Sequence, residues 1–196
     1  MVAKCGRVKA WHWAHKGEPP CDPWWENETD WHRSWKNQFP ADWQEQVAED
    51  PVTGEKHIAD VRTPHGLVIE FQHSPIDPVE LHAREVFYRN MIWIVDGNRG
   101  SLDPDFFRMG LSGPIQNDPL AYAVQWWGRG RLLHNWSQAR AKVYLDFGDN
   151  LLWRLVLFNS QTLRGAVGPV YKATVIDDCI AGRPISVLSR QDHIEN

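Results

Sequence analysis

Residues 57–95 carry strand and helix signals in an order that only a few fold classes accommodate. Two short runs with strand composition are joined by a strong turn signal, Thr63-Pro64-His65-Gly66. A helix is predicted next, with Asp77 as its N-cap and Pro78 at its first position, and the apolar run that follows indicates a buried strand. These segments are His57–Arg62, Leu67–Gln72, a helix to about Asn90, and Met91–Val95. The order strand, strand, helix, strand predicts an α/β fold with a mixed central sheet flanked by helices.

Acidic and amide side chains interrupt these apolar strands at three positions. Asp60 lies late in the first strand, and Glu70 and Gln72, two residues apart, share one face of the second. An unpaired carboxylate in so hydrophobic a strand is costly, and a metal ion would compensate its charge. Mg²⁺ prefers oxygen ligands, so the three side chains form a candidate metal site suited to phosphodiester hydrolysis. The alternative is a half-exposed hairpin whose polar face meets solvent, with Asp60 paired to Arg62 or Arg84.

A helical pattern of aromatic residues precedes the strands, between Trp24 and Trp43. The aromatic residues that recur near helical spacing are Trp24, Trp31, Trp35 and Phe39. In the same stretch Glu28, His32 and Lys36 are spaced four residues apart, so a helix would align them along one side. The pattern predicts a helix that directs these three polar side chains the same way.

Several short blocks recur in an order that is typical of one nuclease family. They are His-Trp-Ala-His at 12–15, Glu-x-x-x-His-x-x-x-Lys at 28–36, Ala-Asp-Val at 59–61, Ile-Glu-Phe-Gln-His-Ser at 69–74, Arg-x-x-x-Tyr at 84–88 and Ile-Trp-Ile at 92–94. In this order the blocks resemble the competence protein CoiA-like family, over residues 5 to about 96. That family is assigned to the PD-(D/E)XK nuclease superfamily, so the resemblance implies a restriction-endonuclease-like α/β core.

The resemblance also implies roles for the polar residues. Asp60 and Glu70 would be the catalytic acids that bind Mg²⁺ or Mn²⁺, and Gln72 stands where the superfamily usually has a lysine. Glutamine carries no positive charge, but its amide can bind water and its oxygen can approach a metal. Lys36 is a candidate for the missing cation, with Glu28 as a further supporting residue. His32 is a candidate phosphate ligand or acid–base catalyst, or else part of a helix-face pair with no catalytic role.

The chain divides into three regions by pattern. Residues 1–23 form a lead-in that contains Cys and His, residues 24–99 form the nuclease-like core, and residues 100–196 form a C-terminal accessory region predicted as an α+β appendage. Within this last region residues 100–120 indicate a loop or boundary, and residues 122–142 indicate a helical piece. The strands predicted after it are Val143–Phe147, Leu151–Phe158 and Val170–Ile176.

Two further sites are candidates. Cys5, His12, His15 and Cys21 form a Cys2His2 set that zinc would accept, although their spacing is not that of a standard finger. The Tyr122–Lys142 segment interleaves aromatic and basic residues, which suits either a DNA-contacting surface or a helix that covers the core. Twelve tryptophans are present, and they are expected to be mainly core anchors, with base stacking as the alternative.

Bulk properties restrict the function classes. Three cysteines do not form a disulfide framework, and no apolar run approaches the length of a membrane span, so we expect a cytoplasmic protein without a membrane partner. The net charge of −4 argues against a simple DNA-coating protein. It is compatible with an enzyme whose metal ions supply the local positive charge. The number of copies in the assembly is not indicated.

Together these observations predict a magnesium-dependent DNA nuclease of the CoiA-like type. A catalytically inactive DNA-binding or DNA-processing accessory with the same fold is the first alternative. A metallo-phosphodiesterase that acts on RNA or a small nucleotide is the second. The substrate form, the sequence specificity of cutting and the biological process are left open by the sequence.

Overall fold

A large mixed β-sheet forms the centre of the protein in a computed structural model. The structure describes residues 24, 28–50, 52, 54–127 and 130–191 with their side chains, and the backbone of 2–6 and 9–14. The strands are β1 (Val2–Gly6), β2 (Lys9–Ala14), β3 (Gln44–Glu49), β4 (Lys56–Arg62), β5 (Val68–Gln72), β6 (Met91–Asp96), β7 (Leu111–Asn117), β8 (Leu120–Gln125), β9 (Lys142–Asp146), β10 (Leu151–Asn159) and β11 (Arg164–Tyr171). The α-helices are α1 (Asp30–Lys36), α2 (Pro78–Tyr88), α3 (Asp103–Gly110), α4 (Leu132–Trp136) and α5 (Lys172–Ala181).

Nine strands make up the large sheet, in the order β3-β4-β5-β6-β9-β10-β11-β8-β7, and β1 and β2 pair separately. The three neighbouring strands β5, β6 and β9 run parallel, and the other pairs are antiparallel. The predicted α/β class with a mixed sheet flanked by helices is therefore confirmed. Within the described residues, no helix has both the length and the apolar character needed to span a membrane.

The strand, strand, helix, strand prediction for residues 57–95 is confirmed. Gly66, with φ of 79°, completes the turn between β4 and β5, a conformation that glycine adopts without strain. Asp77 caps α2 by accepting the Val79 N–H at 2.8 Å, and Pro78 is the first helical residue. The helix then returns the chain to β6, which lies parallel to β5.

The helix predicted from the aromatic pattern is much shorter than the pattern. α1 begins after Thr29, whose hydroxyl accepts the His32 N–H at 3.2 Å and caps the helix. Trp24 therefore lies outside α1, where its ring stacks on that of His57 with centroids 3.2 Å apart. Glu28 also precedes the helix, so its predicted alignment with His32 along one helical face is wrong. Trp31, Trp35 and Phe39 pack together in one cluster, whereas Trp24 continues the spacing without sharing the helix.

Three predictions for the C-terminal region are wrong in detail. Residues 100–120 contain α3 and β7 instead of a loop, and α3 begins despite the Pro and Asp residues because they occupy its first turn. The segment 122–142 holds most of β8 and the short α4 in place of one helical piece. The last predicted strand ends at Tyr171 and continues as α5. The strands β9 and β10 lie where they were expected.

Helices cover both faces of the large sheet. One buried cluster joins α2, α3 and α4 to the sheet through residues that include Leu81, Phe107 and Trp136. The other joins α1 and α5 through Trp35 and Val175. Strand residues alternate between the two clusters, as the pleat requires when both faces are buried.

The C-terminal region, predicted as an appendage, contributes five of the nine strands of the large sheet. β9 pairs directly with β6, and buried acids reinforce the join. Glu85 of α2 accepts the Arg140 N–H at 3.0 Å and the Trp93 indole N–H at 3.2 Å. Asp146, at the end of β9, accepts the indole N–H groups of Trp31 and Trp35 at 3.1 and 2.8 Å. Residues 97–191 thus complete the same layered structure.

We expect Glu85→Ala to lower the free energy of unfolding by about 3 kcal/mol. The substitution leaves two N–H groups without an acceptor, the backbone N–H of Arg140 just before β9 and the indole N–H of Trp93. Urea denaturation measures the change. Val86→Ala on the exposed side of α2 is the matched control and should cost less than about 1 kcal/mol. A change in Glu85→Ala as small as the control would show that α2 and the C-terminal region are not coupled in this way.

Candidate active site

β4 and β5 separate at the position of the two predicted acids. Backbone pairing between these strands consists of Arg62 with Val68 and Val61 with Ile69, and then stops. Continued register would place Asp60 directly opposite Glu70, and like charges directly opposite destabilise a strand pair. The strands therefore diverge into a gap that begins at this pair of acids.

The two carboxylates replace the backbone hydrogen bonds that are lost at the gap. The Asp60 N–H donates to Glu70 Oε1 at 3.3 Å, and the Phe71 N–H donates to Asp60 Oδ2 at 2.9 Å. Each acid thus holds the backbone of the opposite strand. This reciprocal pairing, which we call the acid bridge, keeps Asp60 and Glu70 on either side of the same gap.

Arg84 of α2 is the ionic partner of Glu70. Its Nη1 lies 3.0 Å from Glu70 Oε2, and both side chains are buried. The same guanidinium contacts Glu80 one turn earlier and the Trp24 carbonyl. Arg84 is thus the ionic partner of Glu70, and its positive charge also opposes the rise in the pKa of Asp60. Asp60 itself is half-buried.

Burial raises the pKa of both acids. It raises the pKa of Glu70 from its ordinary value of 4.5 to about 8, with the negative charge of Asp60 adding to the effect and Arg84 opposing it. Burial also raises the pKa of Asp60, against the hydrogen bond from Phe71 and the nearby charges of Lys36, His32 and Arg84. Ionisation of both acids would therefore place more negative charge at the acid bridge than its surroundings stabilise.

His32 connects α1 to the backbone of β5. Its Nε2 lies 2.6 Å from the Phe71 carbonyl oxygen, and its Nδ1 lies 3.0 Å from the Thr29 hydroxyl. A carbonyl oxygen only accepts, so Nε2 carries the hydrogen. The Phe71 peptide is consequently fixed from two sides, by Asp60 at its N–H and by His32 at its C=O. With both ring nitrogens engaged, this geometry favours a positioning role for His32 over proton transfer.

Lys36 places a buried ammonium group close to the acid bridge. It forms ion pairs with Glu28 at 2.6 Å and with Glu45 at 3.0 Å. Burial alone would lower the pKa of Lys36, but Glu28, Asp60 and Glu45 together raise it above its usual value. The pKa of Glu28 is lowered, because Lys36 and Arg33 outweigh the opposite effect of burial. Glu28 thus pairs with Lys36 although it lies outside the helix.

Gln72 is buried at the end of β5, on the same strand face as Glu70. Its amide nitrogen donates to the Ser74 carbonyl at 3.0 Å, so the amide plane is held by the chain that leaves the strand. The side chain therefore takes a defined orientation next to the acids. A flexible lysine at this position would not be held by one carbonyl in the same way.

The residues at the gap suit a small metal site made mainly of oxygen atoms. Among the residues with described side chains, no group of three or more His, Cys, Asp and Glu could hold a metal ion. Two carboxylates are nevertheless a sufficient protein contribution for Mg²⁺, which keeps several of its waters. Mg²⁺ binding at Asp60 and Glu70 stays a prediction, and the raised pKa values show that ionisation of both acids is costly there.

The zinc prediction falls outside what the structure describes. Cys5 belongs to β1 and His12 to β2, and only the backbone of these strands is described. His15 and Cys21 are not among the described residues. The side chains of all four are likewise outside the description, so zinc binding stays a prediction.

The aromatic residues of the predicted DNA-contacting segment are mostly core residues. Trp126 and Trp136 are buried, while Trp127 is 67% exposed, and Arg131, Arg140 and Lys142 are exposed. The expected role of tryptophans as core anchors is confirmed for these two buried residues, and also for Trp35 and Trp93. DNA contact by the exposed residues stays a prediction.

Sequence reasoning missed two contacts at the site. The first is the ion pair between Arg84 and Glu70, for which the Arg-x-x-x-Tyr block was the available signal. The second is a hydrogen bond of 2.7 Å between His73 Nδ1 and Asp96 Oδ2. The available signal was the position of Asp96 directly after a predicted buried strand, because the carboxyl ends of parallel strands are a common place for functional side chains.

Compared with known proteins, the chain matches no protein-family model, no curated protein and no solved structure. The resemblance to CoiA-like nucleases therefore depends on the ordered blocks of residues alone. Any argument about function depends on the geometry of the site.

We expect the metal-free protein to lose stability as the pH rises from about 4.5 to about 8. In this window folded Glu70 keeps its proton while the unfolded chain has lost it, so the free energy of unfolding falls with pH. Urea denaturation in the presence of EDTA at several pH values measures this. Glu70→Gln should flatten the decline, and Glu49→Gln, which changes an exposed acid on β3, should leave it unchanged. An unaltered slope in Glu70→Gln would contradict the raised pKa.

Proposed function

We propose that the protein is a Mg²⁺-dependent nuclease that hydrolyses phosphodiester bonds in DNA, with Mn²⁺ as an alternative metal. The observation that carries the proposal is the acid bridge, two carboxyl groups with raised pKa values held across a gap between strands. A purely structural contact has little reason to concentrate acids that cannot all ionise comfortably. A cation-dependent site does, because the ion returns them to the charged form.

The arrangement of elements around the acids supports the restriction-endonuclease-like part of the proposal. α1 precedes three antiparallel strands, β3 to β5, and α2 leads into the parallel strand β6. The acids lie on the second and third of these strands, and both helices contribute side chains to them. This arrangement supports a PD-(D/E)XK-like core in which Asp60, Glu70 and Gln72 form the site. The ordered CoiA-like blocks in the sequence support the same assignment.

Each residue of the site has a task in this reaction. When bound, Mg²⁺ would supply an activated water and neutralise charge on the phosphate. Asp60 and Glu70 would hold that cation, and Arg84 fixes the second oxygen of Glu70. Lys36 supplies the positive charge that Gln72 lacks, and the oriented Gln72 amide positions water. His32 holds the Phe71 peptide, and Glu28 holds Lys36.

We propose DNA as the substrate on the basis of the resemblance. We also propose that the protein is cytoplasmic. The exposed cations Arg131, Arg140 and Lys142 and the exposed ring of Trp127 are suitable contacts for a phosphate backbone and a base. A catalytically inactive DNA-binding accessory is the second candidate. It is favoured by one observation, that the acid bridge and the Arg84–Glu70 ion pair already connect the acids to protein groups without an ion.

Incubation of labelled single-stranded and duplex DNA with Mg²⁺ or Mn²⁺ tests the proposal. We expect cleavage by the native protein and a loss of at least about 100-fold in Asp60→Asn and in Glu70→Gln, because each removes several kcal/mol of metal-dependent stabilisation. Calorimetric titration with Mn²⁺ should show binding to the native protein and weakened binding to both variants. This second measurement does not depend on the choice of DNA substrate.

Asp105→Asn is the matched control, since Asp105 is an exposed acid on α3 away from the gap. It should cut DNA and bind Mn²⁺ like the native protein. Native protein that binds DNA but cuts neither form with either metal would overturn the nuclease proposal and support the accessory. Equal cleavage by the native protein and Asp60→Asn would place the chemistry elsewhere.

A further inference from the structure

Four basic residues meet at the end of the sheet where its central parallel strands begin. β5, β6 and β9 start side by side there, and β4 ends beside them. Arg62 is the last residue of β4, and Lys142 is the first residue of β9. Arg89 and Arg140 each lie two residues before a strand, β6 and β9 respectively. All four side chains are exposed, and we call this group the basic end.

Strand register places the basic end at nearly one level of the sheet. Arg62 pairs with Val68, which pairs in turn with Met91. Ile92, the next residue of β6, pairs with Lys142. Neighbouring strands lie about 4.8 Å apart, so the Cα atoms of Arg62 and Lys142 are roughly 14 Å apart across the sheet. Val68 and Ile92 belong to different buried clusters, so their basic partners approach the strand ends from opposite faces.

Arg89 has a backbone conformation that costs energy for any residue with a side chain. Its φ is 60° and its ψ is −55°, and the Asn90 N–H donates to the Tyr88 carbonyl at 2.6 Å, which makes a γ-turn. Asn90 holds the turn in place, because its amide nitrogen donates to the Gly66 carbonyl and its own carbonyl accepts the Val68 N–H. Glycine would adopt this conformation with less strain. The presence of arginine therefore indicates a use for its guanidinium.

The basic end is not neutralised by acids. Among the described residues none of its four side chains forms an ion pair, whereas Lys56 and Lys172 elsewhere each pair with an acid. Glu85, which approaches this end, is buried and accepts the N–H groups of residues 140 and 141. Asp42 is an exposed acid two residues before β3, on the other side of β4. Unpaired cations are thus grouped in one place on a chain whose net charge is −4.

We propose that the basic end is a docking surface for duplex DNA, which it contacts through the phosphate backbones. The choice of DNA as partner rests on the proposed nuclease function. Arg and Lys that contact phosphates supply affinity without reading the base sequence. The span of roughly 14 Å from Arg62 to Lys142 is close to the width of the major groove, about 12 Å. Side chains at the two ends of the group therefore reach phosphates of both strands.

This surface is separate from the acid bridge. The backbone pairing of β4 with β5 includes Arg62 and Val61 and stops before Asp60. The gap between the strands opens from there toward the carboxyl end of β5, whereas the basic end lies at its amino end. DNA held at the basic end is anchored by contacts that require neither the acids nor a metal ion.

Binding in EDTA tests the surface without cleavage. Fluorescence anisotropy of a short labelled duplex gives the affinity at several salt concentrations. We expect the double variant Arg62→Ala/Lys142→Ala to bind about 10-fold more weakly, with a slope of log affinity against log salt that is smaller by about 2. Lys56→Ala is the matched control, since it removes an exposed cation from the other end of β4. It should bind within twofold of the native protein.

Arg89→Gly separates a binding role from a structural one. We expect a severalfold loss of affinity for the duplex, because one phosphate contact is removed. Urea denaturation should show a free energy of unfolding that is unchanged or raised, because glycine relieves the strain of the γ-turn. Native affinity together with lowered stability in Arg89→Gly would show that this residue is structural and would overturn its place in the surface.

The outcomes distinguish this inference from the nuclease proposal. Duplex affinity within twofold of native in the double variant would overturn the inference, even if the protein cuts DNA. Weakened binding in the double variant of a protein that never cuts DNA would support the basic end and overturn the nuclease. Tighter binding of single-stranded DNA or of phosphatidylserine vesicles than of the duplex, lost in the double variant, would overturn duplex DNA as the partner.

Discussion

The reciprocal hold of Asp60 and Glu70 on opposite strands is the interaction on which the rest of the site depends. Side-chain oxygens take the place of backbone carbonyls at the point where β4 and β5 diverge, so the N–H groups of Asp60 and Phe71 keep acceptors there. The same oxygens are thereby concentrated in one place, where burial opposes their ionisation. Strand separation, charge concentration and the proposed cation requirement follow from one contact.

The elements that surround the gap are held from far along the chain. α1 brings His32 and Lys36 to the acids, yet its tryptophans donate to Asp146 at the end of β9. The second oxygen of Asp146 binds Lys172 at the start of α5. On the other face Glu85 joins α2, which carries Arg84, to the chain that enters β9. The residues of the proposed active site thus lie in the N-terminal half of the chain, and residues from 140 onwards hold the elements that carry them.

The core from residue 57 to residue 95 was predictable because its signals are local. An apolar run, an Asp-Pro cap and a turn ending in Gly66 each act over a few residues. Long-range contacts produced the failures: Glu28 reaches Lys36 without a shared helix, and α5 begins where β-branched residues suggested a strand. For the site, strand alternation and the resemblance indicated Asp60, Glu70 and Gln72. The pairing of Arg84 with Glu70 and that of His73 with Asp96 depend on how neighbouring elements pack. Residue spacing within a single segment does not reveal these contacts.

The pairing of β6 with β9 affects how the protein folds during its synthesis on the ribosome. Nearly fifty residues separate these neighbouring strands, so the central parallel strands cannot close until most of the chain has been synthesised. Until then β6 would present an apolar open edge, and the tryptophans of α1 would lack their acceptor. In a nascent chain the elements around the acid-rich gap would therefore lack the strand and the acceptor that hold them in the finished protein.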